Sequence, residues 1–267
     1  MPELPEVKSI QDQLNEYMPL SIISFEKSLV SDSIIHTKID KLKGKVILKV
    51  SRKGKMLDFL LNDGRHLLSH LGMTGTWLIS DKKIIEKHTH FQIKAKNIFM
   101  AYVDPRRFGH MYLLDEKESL KKLDQLGLDL LDKKFDLKYF SSALKKYPHR
   151  LIKVSLLDQK LFAGTGNYIA NEICAHAKVR PDRMISSLSD KEIKRLYLAI
   201  NKVLFPAINS GGTTFAGGYR DTTGAKGMGV NHLVVFYQKI CQMCKKTKIE
   251  KIILAQRGTY FCPRCQK

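Results

Sequence analysis

A proline at position 2, followed by Glu3 and Glu6, is the least ordinary chemistry in this chain. Methionine before a small residue is normally removed, which would leave Pro2 with a free secondary amine. An α-amino group titrates about two to three units below lysine, so more of it is unprotonated and nucleophilic near neutral pH, and neighbouring cations lower its proton affinity further. A secondary amine that condenses with an aldehyde gives an iminium that cannot lose its charge by N-deprotonation and so remains an electron sink for elimination. The same Pro-Glu-Leu-Pro-Glu string also reads as an ordinary helix start, with prolines and acids in first-turn positions.

The second chemical cluster lies at the other end. Cys241-x2-Cys244 and Cys262-x2-Cys265 are separated by 17 residues, and each pair puts two thiolates on one tight turn. Four thiolates complete a tetrahedral zinc site with no open position, so one zinc ion is expected, structural rather than catalytic. Residues 238–267 carry eight basic side chains and one acid. Between the cysteine pairs, Ile252 to Phe261 alternates well enough for a hairpin, with a tip expected at Gln256-Arg257-Gly258. Arg257 there could grip a phosphate or stand as a solvated charge. The fifth cysteine, Cys174, falls on an apolar helical stretch and reads as a buried structural thiol.

The elements that must carry these groups change character along the chain of 267 residues. An amphipathic helix is expected from Leu4 to Tyr17, then short strands over 45–50, 56–61, 66–70, 91–95 and 98–103, the pattern of an antiparallel sandwich. Helical periods follow over 116–125, 136–147, 149–160, 167–178 and 189–207. The last opens on a Ser189/Glu192 capping box and repeats Ile193, Leu196, Ile200, Val203 and Leu204 along one face. Residues 211–229 hold seven of the 17 glycines, suiting either a flexible linker or a mobile loop over a substrate, and a short strand is expected at 233–237.

Composition sets the partner class. Hydrophobic residues make up 43% and charged residues 27%, which excludes a disordered chain. No apolar run approaches a transmembrane helix, and the acidic N-terminus is unlike a secretory signal, so a soluble cytoplasmic protein is expected. The net charge of +20 favours a polyanionic partner, nucleic acid ahead of membrane. Of the 46 basic residues 35 are Lys and 11 Arg, a bias that a low-GC genome could also impose.

Taken in order, Met1-Pro-Glu-Leu-Pro-Glu-Val7, His70-Leu-Gly-Met-Thr-Gly75, Asp104-Pro-Arg-Arg-Phe-Gly109, Asp158-Gln-Lys with Gly164-Thr-Gly-Asn167, and Gln256-Arg-Gly-Thr259 beside the four cysteines resemble the formamidopyrimidine-DNA glycosylase family over essentially the whole chain. The resemblance implies an α+β multidomain protein: an antiparallel β-sandwich over 1–125, a helix-two-turn-helix domain over 126–232 that includes the glycine-rich loop, and a four-cysteine zinc finger over 233–267, with DNA in the cleft between domains. It implies Pro2 as the nucleophile, Glu3 as general acid and base, Glu6 as a supporting acid, and Lys55 and Arg257 as the cations on the two phosphates. Asn167 and Lys153 would contact the strand, Met73, Arg106 and Phe108 would fill the duplex around an extruded lesion, and His70 and His88 would touch phosphates.

The function so implied is excision of oxidised purines followed by β- and δ-elimination. The protein is expected to act as a monomer on double-stranded DNA, near a bacterial nucleoid. An endonuclease VIII-type enzyme for oxidised pyrimidines is the alternative within the class. A non-catalytic zinc-finger DNA-binding protein is the alternative outside it; that reading does not need an intact Pro2, Glu3, Lys55 and Arg257.

Overall fold

The apolar spacing near the N-terminus becomes helix α1, Leu4–Asn15, whose Leu4, Val7, Ile10 and Leu14 are all buried. Residues 2–39, 41–216 and 218–267 are described by the computed structural model; Met1, whose removal the sequence implies, lies outside them. Helix α1 packs along strand β3, Val46–Lys53. Strand β1, Leu20–Ser21, pairs with β3 only at Val46 and Ile47, so the outward backbone of Val50 lies beyond that ladder. The last residue of α1 serves it: Asn15 accepts from the Val50 N–H at 2.9 Å and donates to its carbonyl at 2.7 Å.

Two antiparallel sheets form the expected sandwich. Strands β1, β3, β4 (Met56–Leu61), β5 (His66–His70) and β9 (His110–Leu114) make one, in that order. The other runs β2 (Ser24–Lys27), β7 (Thr89–Lys94), β8 (Phe99–Val103) and β6 (Thr76–Ser80). Aromatic rings fill the space between them: Trp77 lies 5.1 Å from Phe59, 5.5 Å from Tyr102 and 6.1 Å from Phe91. The buried Trp77 N–H donates across to Ser69 Oγ at 3.0 Å, so the one polar atom of that ring is satisfied. Helix α2, Glu116–Leu123, follows, capped by Asp115, which accepts from the Glu118 N–H.

Contacts divide the chain into two units, 1–125 with 210–228 and 126–209 with 229–267. The glycine-rich stretch, assigned by sequence to the helical domain, therefore folds with the sandwich. Its attachments explain why: the Thr213 N–H donates to Glu6, the Thr222 amide and hydroxyl both donate to Gln13, and the Ile79 N–H donates to the Thr222 carbonyl. Gly227 is required there, since a Cβ would stand 2.2 Å from the Gly212 carbonyl oxygen.

The second unit holds α3 (Leu137–Lys145), α4 (Ile152–Leu157), α5 (Asn167–His176) and α6 (Asp190–Asn209). The Ser189/Glu192 box closes as expected, the Ser189 N–H donating to Glu192 and the Glu192 N–H to Ser189 Oγ. Other expectations need correction. The helix expected over 149–160 is only the short α4, because Leu151 is bridged to Met184 and Asp158 turns extended, its carboxylate held by Arg150 at 2.8 Å. The region is not wholly helical, since β10 (Leu128–Asp129) pairs in parallel with β11 (Phe162–Ala163). Residues 233–237 form no strand: the amides of Val234, Val235 and Phe236 all donate to the buried Glu172 carboxylate, at 2.7, 3.0 and 2.8 Å, instead of to a ladder.

The finger hairpin is β12 (Glu250–Leu254) and β13 (Arg257–Phe261). Its two-residue tip is Ala255-Gln256, both at positive φ of 46° and 60°, the geometry that matches a hairpin's right-handed twist. Arg257 is thus the first residue of the return strand, opposite Leu254, and not the tip.

Candidate active site

In the first unit the N-terminal segment that begins α1 is held by hydrogen bonds from two directions. Glu3 caps α1 in a reciprocal box with Glu6: the Glu3 side chain accepts from the first turn, and the Glu3 N–H donates to Glu6 Oε2 at 2.7 Å. Glu6 Oε1 accepts the Thr213 N–H, also at 2.7 Å. Both carboxylates are nearly inaccessible, Glu3 at 3% and Glu6 at 1% exposure. Glu6, a supporting acid by sequence, thus spends both oxygens on backbone donors and braces the Pro2 arm against the glycine-rich loop.

Lys55 sits on the β3–β4 turn, where Gly54 takes a φ of +60° and its carbonyl accepts from Arg52 Nη1 at 2.7 Å. The lysine is almost buried, and its charge reaches His70 on the neighbouring strand β5. Burial chiefly, then Lys55 and His110, push the His70 imidazole down to about 4. His70 is therefore neutral at pH 7, and its Nδ1 accepts from the Gly72 N–H at 3.1 Å, which leaves Nε2 as the donor.

Met73, Arg106 and Phe108 lie on two loops pressed together, 71–75 and 104–109. A Cβ on Gly72 would stand 2.3 Å from the Phe108 backbone, and one on Gly109 would meet the Tyr102 hydroxyl at 1.7 Å. Fully buried Asp104 ties the pair: it accepts from Thr74 Oγ1 at 2.6 Å, the Arg106 N–H at 3.2 Å and the Gly109 N–H at 2.8 Å. Met73 and Phe108 remain exposed on this rigid base, with the Arg106 guanidinium 4.8 Å from the Phe108 ring centre. Two exposed apolar side chains held by a buried knot have the shape of a wedge for base steps. His88 is also exposed, in a left-handed conformation at φ 72°.

In the second unit the return strand β13 is docked at Gly258, Thr259 and Tyr260. Lys153 is fully buried and donates to Thr259 Oγ1 at 2.7 Å and to the Gly258 carbonyl at 3.2 Å. Asn167, opening α5, donates to the same carbonyl at 3.1 Å, while its buried Oδ1 has no partner among the described residues. Asn171 accepts the Tyr260 N–H at 2.6 Å and donates to the Asn167 carbonyl at 2.6 Å. Arg257 is left exposed at the head of this braced strand. Lys153, expected beside a nucleotide, holds the hairpin in this conformation.

Sequence reasoning missed Asp104 as an organiser and Glu172 and Asn171 as anchors. The signal for Glu172 was present: an acid between Ile169 and Ile173 on an apolar face must find buried donors. Burial raises its pKa, opposed by the three backbone N–H groups it accepts.

Three family profiles match the chain in order: the formamidopyrimidine-DNA glycosylase N-terminal domain over 1–111, its H2TH domain over 126–217, and the zinc finger found in FPG and IleRS over 241–267. The formamidopyrimidine-DNA glycosylase of Listeria monocytogenes is 40% identical, with all of both chains covered. The chain belongs to the formamidopyrimidine-DNA glycosylase family. Solved relatives have the same fold: the Lactococcus lactis Fpg in complex with abasic-site DNA superposes with a TM-score of 0.90 at 32% identity, covering 99% of each chain. The same enzyme with N7-benzyl-Fapy-dG DNA gives 0.90 at 33% over all of both chains, and MutM (Fpg) of Thermus thermophilus gives 0.89 at 32% over 99% and 98%.

The family's zinc finger fits these four cysteines. Their Sγ atoms lie within 4.8 Å of one another, and Cys244 and Cys262 are 3.9 Å apart. Zinc–sulfur bonds of about 2.3 Å in a tetrahedron require sulfurs about 3.8 Å apart. The finger is also tied inward: the Cys262 N–H donates to Gln266, whose amide donates to the Val179 carbonyl. No helix among the described residues is long and apolar enough to cross a membrane.

Proposed function

We propose that this formamidopyrimidine-family DNA glycosylase is bifunctional, excising oxidised purines such as 8-oxoguanine and formamidopyrimidines from duplex DNA and then nicking the strand at the resulting site. The observation that carries the reading is the clamped N-terminus: Pro2 directly precedes a buried Glu3 whose helix-capping box is itself braced by Glu6. A protein that only binds DNA has no use for an amine held beside a buried acid.

In this reading the Pro2 nitrogen attacks C1′ of the damaged nucleotide, the glycosidic bond breaks, and the base departs with its bonding pair and the proton that the Pro2 nitrogen gives up. Glu3 protonates the opening sugar and afterwards accepts protons, a role favoured by its buried position. The iminium draws electrons from the C2′–H bond, expelling the 3′ phosphate, and a second elimination expels the 5′ phosphate. Each leaving oxygen gains negative charge, which Lys55 and Arg257 stabilise. Asn167 offers the strand a side-chain amide at a helix start. The wedge of Met73 and Phe108 would fill the gap left by extrusion, and the donors of Arg106 would pair with the orphaned cytosine.

The test is a set of duplexes carrying 8-oxoguanine, a formamidopyrimidine, thymine glycol or no lesion, with strand products resolved. Cleavage of the two purine substrates to phosphate-ended fragments is expected. Preference for thymine glycol would instead support the pyrimidine enzyme, and intact strands throughout would remove the catalytic reading.

A further inference from the structure

A row of imidazoles crosses one end of the five-stranded sheet and has no part in the chemistry above. Met56 faces His70, and His70 faces His110, across adjacent strands. The next segment outward continues the row, since Ile35 bridges Met111 in parallel and the His36 N–H donates to the Met111 carbonyl at 2.9 Å. From the strand that follows Lys55 to His36 is three strand spacings, about 14 Å. Over that length one DNA strand presents about four phosphates along its axis.

At the outer end of the row, His36 Nε2 and His110 Nδ1 share a hydrogen bond of 2.8 Å, and both side chains are exposed. His36 stacks on Tyr112 with centroids 5.0 Å apart, and Lys122 places its ammonium 3.7 Å from the centre of the same ring. The charged and titratable groups facing the pair are thus His70 from β5, Tyr112 from β9, Lys122 from α2, and Asp104 from the adjoining turn.

We propose that His36 and His110 form a proton-linked site for a backbone phosphodiester, extending the strand contact outward from His70. The proposal rests on the DNA reading above. Two imidazoles joined nitrogen to nitrogen have room for one proton between them; protonating both sets N–H against N–H unless an anionic oxygen enters and accepts from each. Burial, His36 and Lys122 lower the proton affinity of His110, with Asp104 opposing. His110 is therefore harder to protonate than an ordinary imidazole, and a bound phosphate would raise its proton affinity. Binding takes up a proton, so affinity should be greatest at low pH and decline as pH rises through the pKa of the bound pair.

The experiment is fluorescence anisotropy with a duplex containing a tetrahydrofuran abasic analogue, at fixed ionic strength from pH 6 to 8. Wild-type affinity is expected to rise about tenfold between pH 8 and pH 6. Its salt slope should steepen by about one over the same range. The double variant His36→Gln/His110→Gln should keep only a small fraction of that rise, and His110→Arg should bind tightly with a flattened profile. An undiminished rise in the double variant, or no rise in the wild type, would overturn the histidine site and leave the DNA reading standing. Wild-type protein that fails to bind the duplex at every pH would bring down both.

Discussion

Glu3→Gln should lower excision of 8-oxoguanine by about 10²–10⁴-fold, the usual worth of a positioned general acid–base. The structure makes this substitution clean. Glu3 caps α1 by accepting a backbone N–H, which a glutamine oxygen can also do, so the helix start and the Glu6 brace should survive. What is lost is a proton donor and acceptor at 3% exposure, where water cannot easily substitute. Single-turnover rates on an 8-oxoguanine duplex give the number, with the thermal transition as the folding control. A folded variant within a few fold of wild type would show that Glu3 is a cap and nothing more.

The second large effect is expected at the finger. Cys262→Ser removes one of four thiolates from a site whose metal affinity is its folding energy. Zinc should fall from one per chain to none. The hairpin that presents Arg257 should then lose its order, although Lys153, Asn167 and Asn171 still grip β13 from the helical side. Affinity for abasic-site DNA should drop on the order of a hundredfold, as for losing two or three phosphate contacts. The sandwich has its own aromatic core around Trp77 and should keep its thermal transition. Full DNA affinity in a zinc-free protein would separate the metal from DNA binding.

Which features were legible in the sequence follows from the range of the forces that set them. Helix α6 and strands β4 and β5 were readable because capping and apolar period are local, and their limits fall within a residue or two of those expected. The Ala255-Gln256 tip was not, because neither residue is a usual left-handed turn former; register with β12 places it. The failed strand at 233–237 and the glycine-rich stretch's return to the sandwich have one cause. Each is decided by a carboxylate or amide far away in sequence, Glu172 in one case and Glu6 and Gln13 in the other.

The site residues were named through ordered motifs, and the structure adds how neighbouring groups hold them. Asp104 was visible in its motif, but its three donors come from two loops and only the fold brings them together. The family resemblance names Lys153 as a strand contact. Burial against β13 makes it a brace for the hairpin that carries Arg257.

The most direct test of a Pro2-centred reaction is borohydride reduction of the enzyme with an 8-oxoguanine or abasic-site duplex, followed by mass spectrometry of the adducted peptide. A stable covalent complex is expected, with DNA joined to the N-terminal proline and Met1 absent, because only an iminium is reduced to a stable amine. An adduct located on a lysine such as Lys55, or full activity in protein that retains Met1, would contradict it.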